Sequence, residues 1–267
     1  MRLIAHISDL HFGSEDRQVA EALLLDLLLL RPTLVAISGD LTQRARRREF
    51  LAAKEFLKQL PFPVLTVPGN HDIPLYNLFD RLLSPYKRYR YYISDELDPY
   101  YVDEEIAVLG INTAHGLTIK NGRFVDEHVA KLERSFGSLD STIFKVLVTH
   151  HHFTPPPGHK ATAIIEGAYR AARAIESCRV DLMLAGHLHR SYMQDLSHHY
   201  AIERSVIVAQ AGTAISRRSR GESNSYNVIT VNGSDTYITL RVWNGTSFVD
   251  QMTAHFRKGS SGWVRLK

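Results

Sequence analysis

Residues that could bind metal ions occur in five short clusters along this sequence of 267 residues. Each cluster follows a short apolar run, and its side chains are carboxylates, imidazoles and one amide, without a thiolate. The candidate ligands are Asp9, His11, Asp40, Asn70, His150, His187 and His189. Oxygen and imidazole ligands suit manganese, iron, zinc or cobalt better than they suit a sulfur-rich structural site. The residue types therefore predict a metal centre that is not a structural thiolate site.

The spacing within the clusters favours shared coordination. Asp9 and His11 are two residues apart, as are His187 and His189, and side chains at that spacing in extended chain point the same way. The seven candidates exceed what one tetrahedral ion can use. We therefore predict two ions about 3.5–4 Å apart that share a bridging carboxylate, an arrangement suited to in-line attack at phosphorus.

Apolar runs that alternate with helical segments predict the elements that position these clusters. The predicted strands are 3–8, 34–38, 64–67, 107–112, 144–149 and 182–185, and the predicted helices are 15–30, 46–60, 126–136 and 163–177. Strands this apolar, each followed by a helix, indicate a buried and largely parallel sheet. The carboxyl ends of such strands line a ligand crevice, so the clusters should meet there.

The alternation gives way to β-rich segments after about residue 200. The segments 205–211, 226–231, 237–243 and 248–256 are separated in part by the turn signals Asn232-Gly233 and Asn244-Gly245. We expect them to form a second, more antiparallel sheet built mainly from residues 200–257. The predicted fold class is α/β, with one domain over residues 1–267 in which two packed mixed β-sheets are flanked by helices.

The composition excludes a scaffold held by internal disulfides and a membrane-spanning protein. The chain is 44% hydrophobic and 22% charged, as soluble globular proteins are, and its one cysteine, Cys178, cannot form an internal disulfide. A net charge of +4 is too small to demand a nucleic acid partner, and none is expected. No apolar stretch reaches the ~20 residues of a membrane span. We expect a soluble, cytoplasmic protein.

The clusters read, in order, D-x-H, G-D, G-N-H-D, H and G-H-x-H between Asp9 and His189. With these motifs the sequence resembles the calcineurin-like metallophosphoesterase superfamily, whose fold is an αββα sandwich. The resemblance implies a binuclear centre in which Asp40 bridges the ions. One ion would be held by Asp9, His11, Asp40 and His189, and the other by Asp40, Asn70, His150 and His187.

The resemblance also implies a mechanism. A hydroxide between the two ions would attack phosphorus, its pKa lowered by the ions. His71 would stabilise the developing charge or protonate the leaving group, with Asp72 orienting it. Of three consecutive histidines, His150 directly follows its strand and is the expected ligand. His151 would lie behind the ligands or towards the substrate, and His152 at the surface.

Two positions depart from related enzymes. Gln43 stands where purple acid phosphatases carry a metal-ligating tyrosine, which argues against an iron(III)–tyrosinate centre. Arg44 stands where protein Ser/Thr phosphatases keep a phosphate-binding arginine, so it is a candidate substrate contact together with His151. The Ala45 that follows, and the start of a helix at the next arginines, also favour a structural role for Arg44.

Three of the motif sequences are GDLTQRA, VPGNHD and AGHLHR. They are most similar to those of bacterial phosphodiesterases grouped with cyclic-nucleotide and glycerophosphodiester hydrolases. This implies a small nucleotide or glycerophospho substrate. Tyrosines and basic residues in segment 84–101 either stack a nucleobase or pack onto the domain edge. Arg217, Arg218 and Arg220 either reach a second phosphate or form a solvated face.

Two alternative functions remain open. A pyrophosphohydrolase of a nucleotide-sugar lipid, such as UDP-2,3-diacylglucosamine, would contact the inner membrane through segment 84–101 or through the basic stretch at Arg257-Lys258. A non-catalytic scaffold predicts lost ligands or a replaced His71, and the sequence shows neither. The sequence is silent on oligomeric state.

Overall fold

Two β-sheets packed face to face account for the apolar runs of the sequence. The computed structural model describes residues 1–159, 162–218 and 221–266. The strands are β1 (Arg2–Ile7), β2 (Leu34–Ile37), β3 (Val64–Thr66), β4 (Tyr100–Val102), β5 (Ile106–Ile111), β6 (Phe144–Thr149), β7 (Leu182–Ala185), β8 (Tyr192–Asp195), β9 (Ile207–Gln210), β10 (Ser225–Asn232), β11 (Asp235–Trp243), β12 (Phe248–Gly259) and β13 (Gly262–Leu266). The helices are α1 (Arg17–Leu30), α2 (Arg47–Leu57), α3 (Leu78–Leu83), α4 (Lys87–Tyr92), α5 (Asp126–Phe136) and α6 (Ala168–Ser177). Among these helices there is none with the length and hydrophobicity to cross a bilayer.

Both sheets are mixed. The first has the strand order β13-β12-β11-β10-β1-β2-β3, in which β1, β2 and β3 are parallel and the C-terminal strands are antiparallel hairpins. The second has the order β4-β5-β6-β7-β9-β8, with β5, β6, β7 and β9 parallel. Because the parallel strands are connected through helices, they all run in the same direction within their sheet. Strands β1, β2 and β3 therefore end at one edge of the first sheet, and β6 and β7 end at the same edge of the second.

The C-terminal strands form the larger, antiparallel part of one sheet, as expected, but that sheet also contains β1, β2 and β3. Strands β10 to β13 extend the first sheet, and β9 alone of the C-terminal segments joins the second. The attachment is the antiparallel pairing of β1 with β10, which sets Arg2 opposite Val231. Turn residues report which neighbouring strands form hairpins, but they carry no information on a partner more than 200 residues away.

Three apolar layers stabilise the sandwich, and the αββα fold class is confirmed. Between the sheets lie aliphatic side chains of both inner faces, among them Ile4, Val67, Val108, Val148, Leu184 and Ile229. The outer face of the first sheet packs on α1 and α2 through Leu23, Leu27 and Phe50. The outer face of the second packs on α5 and α6 through Leu132, Phe136 and Ile175. Burial on both faces explains why the parallel strands are apolar throughout.

Candidate metal centre

The loops that follow β1, β2, β3, β6 and β7 meet at one edge of the sandwich and bring the seven candidate ligands together. Five of these ligands have backbone φ angles between 48° and 77°, the left-handed region: Asp9, His11, Asp40, His187 and His189. Such a conformation costs roughly 1–2 kcal/mol for each residue with a side chain. Strain of this kind clusters where function requires it. The pairs at i and i+2 therefore converge through tight turns, and the extended geometry assumed for them is wrong.

One cluster of buried side chains consists of Asp9, His11, Asp40 and His189, whose ligand atoms all lie within 4.8 Å of one another. Asp9 Oδ1 is 3.3 Å from His189 Nε2 and 3.7 Å from His11 Nε2. Within the described residues this buried oxygen has no hydrogen-bond partner. An unpaired carboxylate oxygen facing two imidazole nitrogens is unfavourable unless a cation lies between them, so the donor set fits a metal ion.

A second cluster lies beside the first and includes an amide. Asn70 Oδ1 is 3.1 Å from His150 Nε2 and 3.0 Å from His187 Nδ1. Asp40 lies between the two clusters, with Oδ1 3.4 Å from His150 Nε2 and Oδ2 3.7 Å from His11 Nε2. Each oxygen of this carboxylate therefore faces a different group of imidazoles.

Backbone carbonyls orient four of the imidazole rings in the site. The Nδ1 atom of His150 is 2.7 Å from the carbonyl oxygen of Ser38, and that of His189 is 2.9 Å from that of Arg218. His71 and His11 make the equivalent contacts with the carbonyls of Gln43 and Thr42, at 2.8 and 3.3 Å. Because a carbonyl only accepts, Nδ1 carries the ring proton, which leaves the Nε2 lone pair directed into the site.

The pKa of His189 is raised, because the adjacent Asp9 carboxylate outweighs its burial, but burial keeps two other imidazoles neutral. It lowers the pKa of His11 to about 4 and that of His187 to about 3. Burial alone would raise the pKa of Asp9, but attraction to His189 and the other imidazoles outweighs it and holds that pKa well below its usual range. Neutral imidazoles and ionised carboxylates are the forms in which these side chains bind metal ions.

His71 lies at the mouth of the site in the short 3-10 helix Asn70–Asp72. Its backbone N–H donates to Asp40 Oδ1 at 2.8 Å, and its ring meets the ring of His11 edge-on with centroids 4.8 Å apart. The ring is fixed by Gln43, not by Asp72 as expected. The Asp72 carboxylate instead accepts from the backbone N–H groups of Leu41, Thr42 and Gly69 and from the Thr42 hydroxyl.

Asp72 thus ties together the two loops that carry Asp40 and His71. Burial, with the nearby Asp40 charge, raises the pKa of Asp72 to about 6. We expect Asp72→Asn to lower the free energy of unfolding by about 2–4 kcal/mol, because the amide offers one acceptor to four donors. Urea denaturation of the metal-free protein measures this. A loss of activity confined to poor leaving groups, at unchanged stability, would instead assign Asp72 to orienting His71.

His151 and His152, the two histidines that follow His150, are both buried. Thr113 Oγ1 lies 2.8 Å from His151 Nδ1 and accepts from the His151 backbone N–H at 3.3 Å. This pairing favours a His151 tautomer whose proton is on Nε2, so the ring is suited to donate a hydrogen bond and His150 remains the candidate ligand. The expected surface position of His152 is wrong, since it is only 3% exposed and stacks on His187.

A contact at Gly122 was missed by sequence reasoning. A side chain at Gly122 would collide with the His151 ring, so only glycine lets the loop over residues 113–122 close against it. The glycine gives no signal in the sequence because it stands in no motif.

The three other hypotheses on substrate contacts concern Arg44, the tyrosine-rich segment 84–101 and the arginines at 217, 218 and 220, and they have different outcomes. The Arg44 guanidinium lies over the Tyr76 ring, 5.4 Å from its centroid, and donates to the Tyr76 hydroxyl at 2.6 Å, so it is already engaged at the rim. The tyrosine segment forms α4 and packs onto the domain edge: Tyr89 is fully buried and donates to the Thr66 carbonyl. Arg217 and Arg218 are exposed, whereas Arg220 lies outside the described residues.

Comparison with known proteins assigns the chain that forms this site to a family. Residues 2–191 match the sequence profile described as Calcineurin-like phosphoesterase. That range contains all five motifs, and the chain belongs to this family.

Individual relatives resemble parts of the chain. A stretch of 81 residues is 37% identical to the glycerophosphodiester phosphodiesterase GpdQ of Enterobacter lignolyticus, covering 26% of this chain and 29% of that relative. A probable cyclic nucleotide phosphodiesterase of Pseudoalteromonas sp. is 26% identical over 204 residues, 72% of either chain. The purple acid phosphatase PPD1 of yellow lupin superposes with a TM-score of 0.68 at 10% identity, over 94% of this chain and 53% of its own, and so shares the fold.

Proposed function

We propose that this protein is a binuclear metal-dependent phosphodiesterase acting on a small nucleotide or glycerophospho substrate. The observation that carries the proposal is the position of Asp40, whose two oxygens face separate clusters of imidazoles. The matched relatives named as glycerophosphodiester and cyclic nucleotide phosphodiesterases support the substrate class.

The donor set fits two divalent ions. Manganese is the metal we propose, and iron, zinc and cobalt are the alternatives. Bound ions would neutralise charge on the phosphate and lower the pKa of a water molecule. The residues that would hold the first ion are Asp9, His11, Asp40 and His189, and those for the second are Asp40, Asn70, His150 and His187.

His71 is placed to supply the proton that the leaving oxygen needs. Its Nδ1–H is held by the Gln43 carbonyl, so the proton for the leaving oxygen would be carried on Nε2, with the ring in its imidazolium form, and its release would leave the neutral Nδ1–H tautomer. Asp40 accepts the His71 backbone N–H, which fixes the general acid relative to the shared carboxylate. Each of these two contacts has a backbone atom as one partner, so together they fix the His71 ring relative to the Asp40 carboxylate.

Arg218 is better placed than Arg44 to hold a phosphate oxygen. Its carbonyl orients His189, while its Nη1 makes only a 3.4 Å contact with the Gln43 side chain. A long contact to a neutral amide is readily exchanged for a phosphate oxygen, which accepts more strongly. Arg44 by contrast would have to leave Tyr76.

Arg218→Ala is accordingly expected to raise KM for a phosphodiester roughly 10–100-fold, the value of a charge-assisted hydrogen bond, with little change in kcat. The matched control is Arg44→Ala, which should change KM less than threefold. Steady-state kinetics with the manganese-loaded enzyme measures both. A larger effect at Arg44 than at Arg218 would reverse the assignment.

The reaction class is tested with the manganese-loaded enzyme on bis(p-nitrophenyl) phosphate and on p-nitrophenyl phosphate. We expect a strong preference for the diester, in line with the relatives named as glycerophosphodiester and cyclic nucleotide phosphodiesterases. Equal or higher turnover of the monoester would overturn the phosphodiesterase proposal and move the search to phosphatase substrates.

A further inference from the structure

Helix α3 turns its apolar side chains towards solvent and its arginine inward. Leu78, Phe79, Leu82 and Leu83 are 57–72% exposed, whereas Arg81 is only 5% exposed. The buried guanidinium donates to the carbonyl oxygens of Pro74 and Thr118. A helix that faces water has the opposite arrangement, so the outer face of α3 is suited to an apolar environment.

The loop over residues 113–122 extends this surface. Leu117 and Ile119 are 72% and 57% exposed, and the Arg81 contact with the Thr118 carbonyl fixes them beside α3. The loop approaches the helix so closely that a side chain at Gly116 would collide with the Arg81 carbonyl. We call the combined surface the apolar rim, and its members are Leu78, Phe79, Leu82, Leu83, Leu117 and Ile119.

The apolar rim is continuous with the metal centre. The loop that carries Leu117 and Ile119 begins at Thr113, which hydrogen-bonds the ring of His151, and returns to that ring at Gly122. Anything seated on the rim therefore lies next to the side of the site formed by His150, His151 and His187.

Two exposed lysines lie close to members of the apolar rim in the sequence, and the acidic residue of α3 is paired. Lys87 follows α3 in the chain and Lys120 follows Ile119, and both lysines are exposed. Asp80, the acidic residue of α3, lies 3.9 Å from Arg88 and accepts from the Asn77 amide. Exposed aliphatic and aromatic side chains flanked by lysines are complementary to a lipid surface with anionic headgroups.

We propose that the apolar rim docks this protein on the surface of an anionic lipid bilayer, with Leu78, Phe79 and Leu82 inserted at the level of the headgroups. Docking of this kind would hold the mouth of the metal centre at the membrane interface. The proposed contact centres on the apolar rim and takes only Lys87 from segment 84–101, because α4 packs on the protein through Tyr89. Arg257 and Lys258 are paired with Asp235 and Asp181. Docking does not depend on the proposed function.

Co-sedimentation of the full chain with vesicles tests the proposal. Phosphatidylcholine vesicles are compared with phosphatidylcholine–phosphatidylglycerol vesicles, using wild type and the triple variant Leu78→Ser, Phe79→Ser, Leu82→Ser. The matched control is Leu25→Ser, Leu29→Ser, which removes leucines that are 61% and 83% exposed on α1. We expect wild type and control to bind the anionic vesicles and the triple variant to bind at least ~10-fold less.

Three outcomes would overturn the docking proposal. They are no sedimentation of wild type with anionic vesicles, equal sedimentation of the triple variant, or a wild-type dimer in light scattering that the triple variant abolishes while vesicle binding is absent. The last outcome would assign the apolar rim to a second copy of the chain. Hydrolysis of soluble bis(p-nitrophenyl) phosphate by all three proteins is measured in parallel, and its absence would refute the phosphodiesterase alone.

Discussion

Asp40→Ala is expected to lower turnover of bis(p-nitrophenyl) phosphate by at least ~10³-fold, since the several kcal/mol that bound ions supply would be lost. The physical reason is that one carboxylate serves both clusters, with Oδ2 near His11 and Oδ1 near His150. The same oxygen also accepts the His71 backbone N–H, so the loop with the general acid is released. Steady-state kinetics and metal content of the same sample give the measurement.

Two variants make the Asp40 result specific. Asp95→Ala removes an exposed carboxylate and should leave turnover unchanged. Asp40→Asn keeps the shape and one acceptor oxygen but loses the charge, so we expect it to bind less metal than wild type and to remain strongly impaired. Near-normal turnover in either Asp40 variant would mean that the shared carboxylate is not part of the reaction.

His71→Ala is expected to slow hydrolysis of diesters with alkyl leaving groups roughly 10²–10⁴-fold, the usual contribution of a general acid. Diesters that release p-nitrophenolate should lose much less, because that group leaves without a proton. The backbone N–H of residue 71 still donates to Asp40 in the variant, so metal content should be retained. Rates for a series of diesters with leaving groups of increasing pKa give the dependence directly.

The outcome at His71 separates proton transfer from positioning. A loss of the same size for every leaving group would show that His71 stabilises charge on the phosphate or orders the loop, and would remove it as the general acid. His198→Ala, which changes an exposed histidine, is the control and should follow wild type throughout.

The strands and helices that carry the site were largely predictable from local pattern. Helix α5 and strands β6 and β7 occupy the residues that the periodicity predicts, because each is bounded by polar or turn residues and packs on the core. Helix α3 was missed since its apolar residues face solvent, which inverts the pattern that marks a helix. Strands β8 and β13 are sheet edges, half-buried or partly exposed, and lack an apolar run.

The convergence of the candidate ligands was also predictable, because polar residues directly after parallel strands meet at one sheet edge. How they meet was not. The left-handed backbone of Asp9 and Asp40 and the carbonyls that orient His150 and His189 involve no side-chain signal. The role of Asp72 was misread for the same reason, since its partners are backbone N–H groups of another loop.

Equilibrium dialysis against manganese, followed by metal analysis, measures whether two ions share Asp40. The predicted result is two ions per chain in wild type and in His71→Ala, and fewer than two in Asp40→Ala. A single ion per chain in wild type, or two ions with normal turnover in Asp40→Ala, would contradict the sharing of Asp40 by two ions.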